Sequence, residues 1–396
     1  QRRYLDYERF EMSSRSHSAL LEYLSGIQDL RLYAAEESCH KKWNAVQQRL
    51  AALNSRMAAW DQTGQVAGTI ISALTTLLIT LSACMNVLAG TMSLGRFFAV
   101  QFIIGQLNAP LAQSIDILRR WQDARLTLER IGNVHLHRDE WTGTRGVDRA
   151  GADVQVTKVC FGYGGSSLRK VLKGVSFKLH KGKTTALVGP SGSGKTTLLK
   201  LLLGFYPPDD GEITIGGINL QSITPAAWRS QCGVVMQDGF LFSATIAKNI
   251  ALGCEKWDSE RLSKVLQIAQ LEGLIASLPR GVETEVGPEG IGLSRGQVLR
   301  ILIARALYND PEYLFFDEAT SALDAETEAA VVAGIKAATR GKTVMIIAHR
   351  LSTVRDADQI IVLDDGRTDE MGSHGALVAQ RGNYYRLVRD QLELNS

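Results

Sequence analysis

Five cysteines in 396 residues, Cys39, Cys84, Cys160, Cys232 and Cys254, are too scattered to build a metal cage. None forms a Cys-x-x-Cys pair or joins a histidine cluster, which excludes a zinc finger or ribbon; reduced, buried thiols are expected instead. A surplus of one charge is also lacking. The 44 basic and 41 acidic residues leave a formal +3, too weak a field to recruit nucleic acid, so no nucleic-acid partner is expected. No repeat of about 20 to 50 residues is present, which excludes a solenoid or propeller. No apolar signal-peptide core follows Arg2 and Arg3, and the first residue is Gln1 rather than methionine, so the expectation is a fragment without its natural beginning.

Charge is missing altogether from residues 62–95, with the apolar core 70–79 inside that run. After the single charge of Arg96, residues 97–115 are again uncharged, up to Asp116, Arg119, Arg120 and Arg125. A bilayer crossing takes roughly 20 residues, so two spans are expected, at about 64–90 and 97–117; two buried helices of a soluble protein are the alternative. Lys41, Lys42, Arg49 and Arg56 precede the first run and arginines follow the second, which puts those flanks on the cytoplasmic side and Arg96 near the outer face. Pro110 should bend the second helix, whose neighbours in a membrane can absorb the lost hydrogen bond. Before the spans, Leu20, Leu21, Leu24, Ile27 and Leu30 recur at helical spacing, with Gly26 allowing a bend.

Residues 135–152 are polar, Gly-bearing and without period, as in a linker. Beyond them the strand-like runs 184–188, 313–316 and 343–347 alternate with helical patterns, the signature of a mostly parallel α/β sheet. With 45% hydrophobic residues at this length, at least two folded units are expected.

The sequence Gly189-Pro190-Ser191-Gly192-Ser193-Gly194-Lys195-Thr196 fits the phosphate loop Gly-x-x-x-x-Gly-Lys-Thr between an apolar strand and a helical run. Backbone N–H groups of such a loop turn in on phosphates and the helix start adds its positive end. The expected nucleotide contacts here are Gly189, Ser191, Gly192, Gly194, Lys195, Thr196 and Thr197, with Lys195 on the β and γ oxygens and the Thr196 hydroxyl on Mg2+. A second strand ends in Asp317-Glu318; Asp317 suits magnesium, and Glu318 can polarise the water that attacks the γ-phosphate.

Ile291-Gly292-Leu293-Ser294-Arg295-Gly296-Gln297 resembles the signature of ATP-binding-cassette (ABC) proteins, usually Leu-Ser-Gly-Gly-Gln. Arg295 stands where that family has the first glycine; what its bulk and charge do to phosphate contact or dimer closure is open. Tyr163, Gln237, Ser321-Ala322-Leu323-Asp324 and His349 follow the family's order. The resemblance implies adenine stacking on Tyr163, magnesium and water contacts by Gln237, a γ-phosphate contact by His349, and catalysis by Glu318, His349 and Gln237. It implies ATP and Mg2+ as cofactors, the metal held by Thr196, Gln237 and Asp317. It also implies head-to-tail pairing with a second copy or a paralogous half-transporter, in which Ser294, Gly296 and Gln297 complete the partner's ATP site and Asp324 lines the seam.

Residues 284–287 resemble the exporter segment that touches the partner's membrane part, and residues 1–134 resemble the end of a transmembrane domain with the last two of six helices. The expected fold is therefore an α-helical transmembrane part followed by an α/β P-loop NTPase domain over 153–392, with a helical subdomain at about 238–310. The resemblance implies a multi-pass protein of a bacterial inner or plasma membrane, with the ATPase domain in the cytoplasm, in contact with membrane lipid and a transported substrate. The wording of the signature and acidic strand is similar to peptide and bacteriocin exporters, so a peptide is the expected cargo. Lipid or drug export, a non-transporting regulatory module and a soluble ABC ATPase are the alternatives.

Overall fold

The computed structural model describes residues 2–132, 140–146, 151–165, 170–287, 290–319, 323–348 and 354–394, and divides into two compact units, Gln1–Arg138 and Asp139–Ser396.

The first unit is helical: α1 (Arg2–Ser25), α2 (Ile27–Leu32), α3 (Glu36–Leu88) and α4 (Leu94–Gly132). The break between α1 and α2 falls at Gly26, where a bend was expected. The 53 residues of α3 join a polar half, started by Glu36 and Glu37 at the positive helix end, to the uncharged run. At about 1.5 Å per residue this rod far exceeds a bilayer core, so only its second half can be a span. Within that half the hydroxyls of Thr69, Thr75 and Thr76 donate to the carbonyls of Gln65, Ile71 and Ser72. Such back-bonding satisfies a hydroxyl inside its own helix, which is how threonine is tolerated where water is absent.

The polar half meets α1 through Gln47 Nε2, which donates to Ser16 Oγ at 2.7 Å, and the apolar half meets α4 through Gln101 Nε2 to Thr80 Oγ1 at 2.8 Å. Among the described residues α3 is the one helix long and apolar enough to cross a membrane; the apolar stretch of α4 is Leu94–Leu107. Gln101, Gln106, Asn108 and Gln113 dilute the uncharged run 97–115, so absence of charge overstates its apolarity. Pro110 lies inside α4, which continues to Gly132.

In the second unit the strands are β1 (Val154–Phe161), β2 (Leu172–Leu179), β3 (Thr184–Val188), β4 (Asp210–Ile215), β5 (Ile218–Asn219), β6 (Cys232–Val235), β7 (Ala244–Thr245), β8 (Glu285–Val286), β9 (Tyr313–Asp317), β10 (Thr343–Ile347), β11 (Gln359–Asp364) and β12 (Arg367–Gly372). The helices named below are α5 (Lys195–Leu202), α6 (Pro225–Arg229), α7 (Ile246–Ile250), α8 (Ser259–Ile268), α9 (Glu272–Ser277), α10 (Arg295–Tyr308) and α11 (Ala325–Ala338).

The three strand-like runs of the sequence are β3, β9 and β10. They lie side by side in a six-stranded sheet of order β12-β11-β3-β10-β9-β6, parallel except for β12. A smaller antiparallel sheet has the order β2-β1-β4-β5. Strand alternation divides β9 between two cores. Tyr313 and Phe315 join the leucines of α5 and the small sheet, whereas Leu314 and Phe316 join α7, α8, α10 and α11.

All five cysteines are free, as expected, but not buried: Cys84 and Cys254 are exposed and the other three half-buried. Cys84 faces outward on the apolar half of α3, and Cys254 lies in the turn after α7, so neither reaches a core.

Candidate functional site

The phosphate loop is the turn from β3 into α5. Gly189 has φ 152°, and a Cβ there would come within 2.0 Å of the Leu363 carbonyl oxygen, so the loop's first position accepts only glycine. Ser191 and Gly192 are exposed, while Gly194 caps α5 in the left-handed region with φ 102°. Lys195 is buried, and its ammonium donates to the carbonyls of Gly189 at 2.8 Å and Pro190 at 2.9 Å. Burial lowers its pKa from the usual lysine value, against the opposing influence of Glu318 and Asp317.

The second half of the site ends β9. The Thr196 hydroxyl donates to Asp317 Oδ2 at 3.0 Å, so the loop and the acidic strand are joined by the two groups expected at a magnesium ion. Asp317 is 1% exposed, and Glu318 takes φ 51°, unusual for a side-chain-bearing residue. Its N–H donates to Ile347 O at 3.0 Å, and its Oε2 accepts from Gln237 Nε2 at 3.3 Å. Because β10 lies between β3 and β9, these side chains meet at the carboxyl edge of a parallel sheet, where such sheets bind ligands. A hydroxyl, one buried carboxylate and an amide oxygen form an all-oxygen donor set. It fits Mg2+, which keeps several waters and leans on substrate phosphates rather than on a protein cage. Among the described residues no group of three His, Cys, Asp or Glu could hold a metal alone.

Tyr163, expected to stack on adenine, lies beside the start of α5. Its ring is 46% exposed, its hydroxyl lies 3.3 Å from Thr197 Oγ1, and Phe161 and Tyr206 pack against it at 5.1 and 5.6 Å between centroids. The residue is thus partly open to solvent, and its ring offers an aromatic surface of the kind that stacks on a base.

The signature residues do different work in this chain. Ser294 is the N-cap of α10, its Oγ accepting from Gln297 N at 3.2 Å while Gln297 Oε1 accepts from Ser294 N at 2.9 Å. Arg295 and Gly296 open the helix, with Arg295 exposed. Asp324 caps α11 through Thr327 N at 2.9 Å, and the Thr327 hydrogen bonds hold its carboxyl below the usual range. In 284–287, Thr284 and Val286 are buried and Glu285 is exposed. His349, Ser321 and Ala322 lie outside the described residues.

Two residues without a motif shape the loop after Gln237. Asn249 is fully buried and donates to the carbonyls of Phe242, Ala244 and Thr245, while Arg305 donates to the carbonyls of Asn249 and Phe240. Asn249 is marked only by its burial and Arg305 only by its bonds to backbone carbonyls, and sequence pattern carries no sign of either.

A family model described as ABC transporter matches residues 172–321, and one described as ABC transporter transmembrane region matches residues 3–111. An ATP-dependent lipid A-core flippase of Cupriavidus metallidurans is 35% identical over 395 residues, covering 97% of this chain and 66% of that protein. The leukotoxin translocation ATP-binding protein LktB of Mannheimia haemolytica is 33% identical over 395 residues, covering 100% of this chain and 55% of that protein. The solved structure of a bacterial Atm1-family ABC exporter with ATP bound matches with a TM-score of 0.94 at 30% identity, covering 99% of this chain and 69% of that one. The chain thus spans from 55% to 69% of the length of these relatives.

Proposed function

This chain belongs to the ABC transporter family, and from that premise we propose that it serves as an exporter subunit in which ATP hydrolysis drives a cargo across a membrane. The observation that carries the reading is the pair of hydrogen bonds, Thr196 to Asp317 and Gln237 to Glu318, that draws the phosphate loop, the acidic strand and the loop after β6 to one sheet edge.

In this reading Lys195 exchanges its two loop carbonyls for the β and γ oxygens, and Tyr163 stacks on the base. Thr196, Asp317 and the Gln237 side-chain carbonyl would hold a magnesium ion, which would supply positive charge against that building on the phosphates. Glu318, turned into the site by its left-handed backbone and steadied by Gln237, orients the attacking water and accepts its proton. His349 contacts the γ-phosphate. Ser294, Gly296 and Gln297 reach the ATP of a second subunit, identical or paralogous, and Asp324 lies at their seam.

Residues 1–134 act as the membrane part, crossing at about 64–90 and 97–117, with 135–152 as linker and 153–392 as a cytoplasmic ATPase domain. The charge pattern supports that orientation, and the bacterial relatives support an inner membrane. The cargo is a peptide or protein segment, a reading supported by the leukotoxin-translocating relative. A lipid cargo is the second reading, favoured by the 35% identity to a lipid A-core flippase.

The test is ATPase turnover of the full-length protein in lipid nanodiscs with peptides, lipid A and drugs, beside Glu318→Gln. Peptide stimulation that vanishes in the variant is expected, together with a loss of turnover of roughly 10²-fold or more at unchanged ATP affinity. Stimulation by lipid A alone selects the second reading. ATP binding without turnover in the wild type refutes the coupled pump.

A further inference from the structure

We propose that residues 140–146, inside the apparent linker, are a strap whose Trp141 positions the base-binding end of the nucleotide site. The argument rests on the reading of Tyr163 as the base platform.

The strap is pinned along its length. Trp141 Nε1 donates to Ile223 O at 3.2 Å, and the N–H groups of Thr144 and Arg145 donate to Ser222 O at 3.2 and 3.1 Å. In return, Thr224 donates its N–H to Arg145 O at 3.0 Å and its hydroxyl to Gly143 O at 2.9 Å. At the near end Glu140 pairs with Arg229. A free linker has no need of these bonds, and seven residues ordered against one surface cost conformational entropy that the contacts must offset.

What the strap presses on is the segment just after α5. The indole ring lies over Gly204, where a Cβ would meet Trp141 Cη2 at 2.6 Å, so Gly204 is the seat of the ring. Arg229 donates to the carbonyls of Leu203 at 3.1 Å and Gly204 at 2.7 Å, with its guanidinium 5.0 Å from the Phe205 ring centre, so one arginine ties Glu140 to the end of α5. Trp141 also shares a cavity of about 30 Å³ with Tyr206, and Tyr206 packs edge-on against Tyr163. Trp141 and Tyr206 thus line one small cavity, and Tyr206 in turn touches Tyr163.

The two ends of the nucleotide should respond differently. Tyr206 lies two residues beyond Gly204, in the segment that the strap covers, and Tyr163 packs against Tyr206. The phosphate loop is held by Gly189 against Leu363 of β11 and by the Lys195 bonds to Gly189 and Pro190, to which the strap makes no hydrogen bond among the described residues. Trp141 therefore sets affinity for the base while leaving the triphosphate cradle alone. It is a positioning residue, acting through Tyr206.

The test uses the full-length protein in nanodiscs, with KM and kcat for ATP and the inhibition constant of inorganic tripolyphosphate, which has no base. Trp141→Ala should raise the KM for ATP about 3- to 10-fold, the scale of a lost aromatic contact, with kcat within about twofold and tripolyphosphate inhibition unchanged. Trp141→Phe, which keeps a ring over Gly204, should restore most of the affinity. Thr224→Val, which removes only the tie to Gly143, should raise KM in the same direction by a smaller factor. An unchanged KM in Trp141→Ala overturns the proposal, as does equal weakening of ATP and tripolyphosphate, the mark of a merely structural role. Tyr163→Ala separates the premise. If it raises KM while Trp141→Ala does not, only the strap fails; if Tyr163→Ala leaves KM unchanged, the base-platform reading fails and takes the route with it.

Discussion

At the scale of single residues, the chemistry-bearing side chains are set by backbone and burial more than by their neighbours in sequence. Glu318 shows this. The acid after an apolar strand is legible in the sequence, but the φ of 51° that turns it toward Gln237 is not, because it goes with a tertiary hydrogen bond to Ile347 O. Lys195 is the converse case, since its place in the loop motif already implies its surroundings. Asp153 offers a titration test away from the site. Its Oδ2 pairs with Lys178 at 2.7 Å and its Oδ1 accepts Lys181 N–H at 2.8 Å, and these contacts, Lys178 first, hold its pKa below the usual carboxylate value. A carboxyl depressed on folding stabilises at pH above its unfolded pKa of about 3.9 and loses that contribution as pH falls through the folded value. Asp153→Asn should therefore melt slightly below the wild type at pH 7, and the gap should be smaller at pH 3. A gap of the same size at both pH values would refute the assignment.

At the scale of elements, legibility follows apolar pattern. Strands β3, β9 and β10 are marked by apolar runs because each is buried on two faces and has little choice of residue, whereas α5 is marked by the loop motif ahead of it. The extent of α3 was less visible: its polar half looks like a separate amphipathic helix, and nothing between residues 36 and 88 caps or breaks it. The strap was invisible as such, since a polar, Gly-bearing stretch reads as linker and a lone tryptophan carries no period. Helix α10 joins stability to function, because Ser294 is both its N-cap and the signature serine. Ser294→Ala should cost about 1 kcal/mol of stability. Ser294→Asp restores a good cap but sets a negative charge toward the partner's phosphates, so thermal stability should recover while ATP turnover stays low. Recovery of both in Ser294→Asp would confine Ser294 to capping and remove its role at the partner's nucleotide.

At the scale of the whole molecule, the chain joins a helical unit with a largely uncovered apolar surface to a nucleotide-binding unit whose signature helix forms no described hydrogen bond to its own phosphate loop. Ile71, Leu77, Leu78 and Met85 of α3 are each more than half exposed, as are Phe98 and Phe102 of α4. Patches of that extent mark membrane or protein contact. A signature serine occupied with its own cap, and a phosphate loop without it, are complementary halves if two subunits meet about a two-fold axis. That arrangement makes a quantitative forecast. Wild type co-assembled with an equal amount of Lys195→Ala subunits should retain about a quarter of full ATPase activity if both composite sites must fire, because only pairs of two intact subunits work. Retention of about half would mean that the two sites fire independently, each needing only its own Lys195, and would refute the requirement that both fire together.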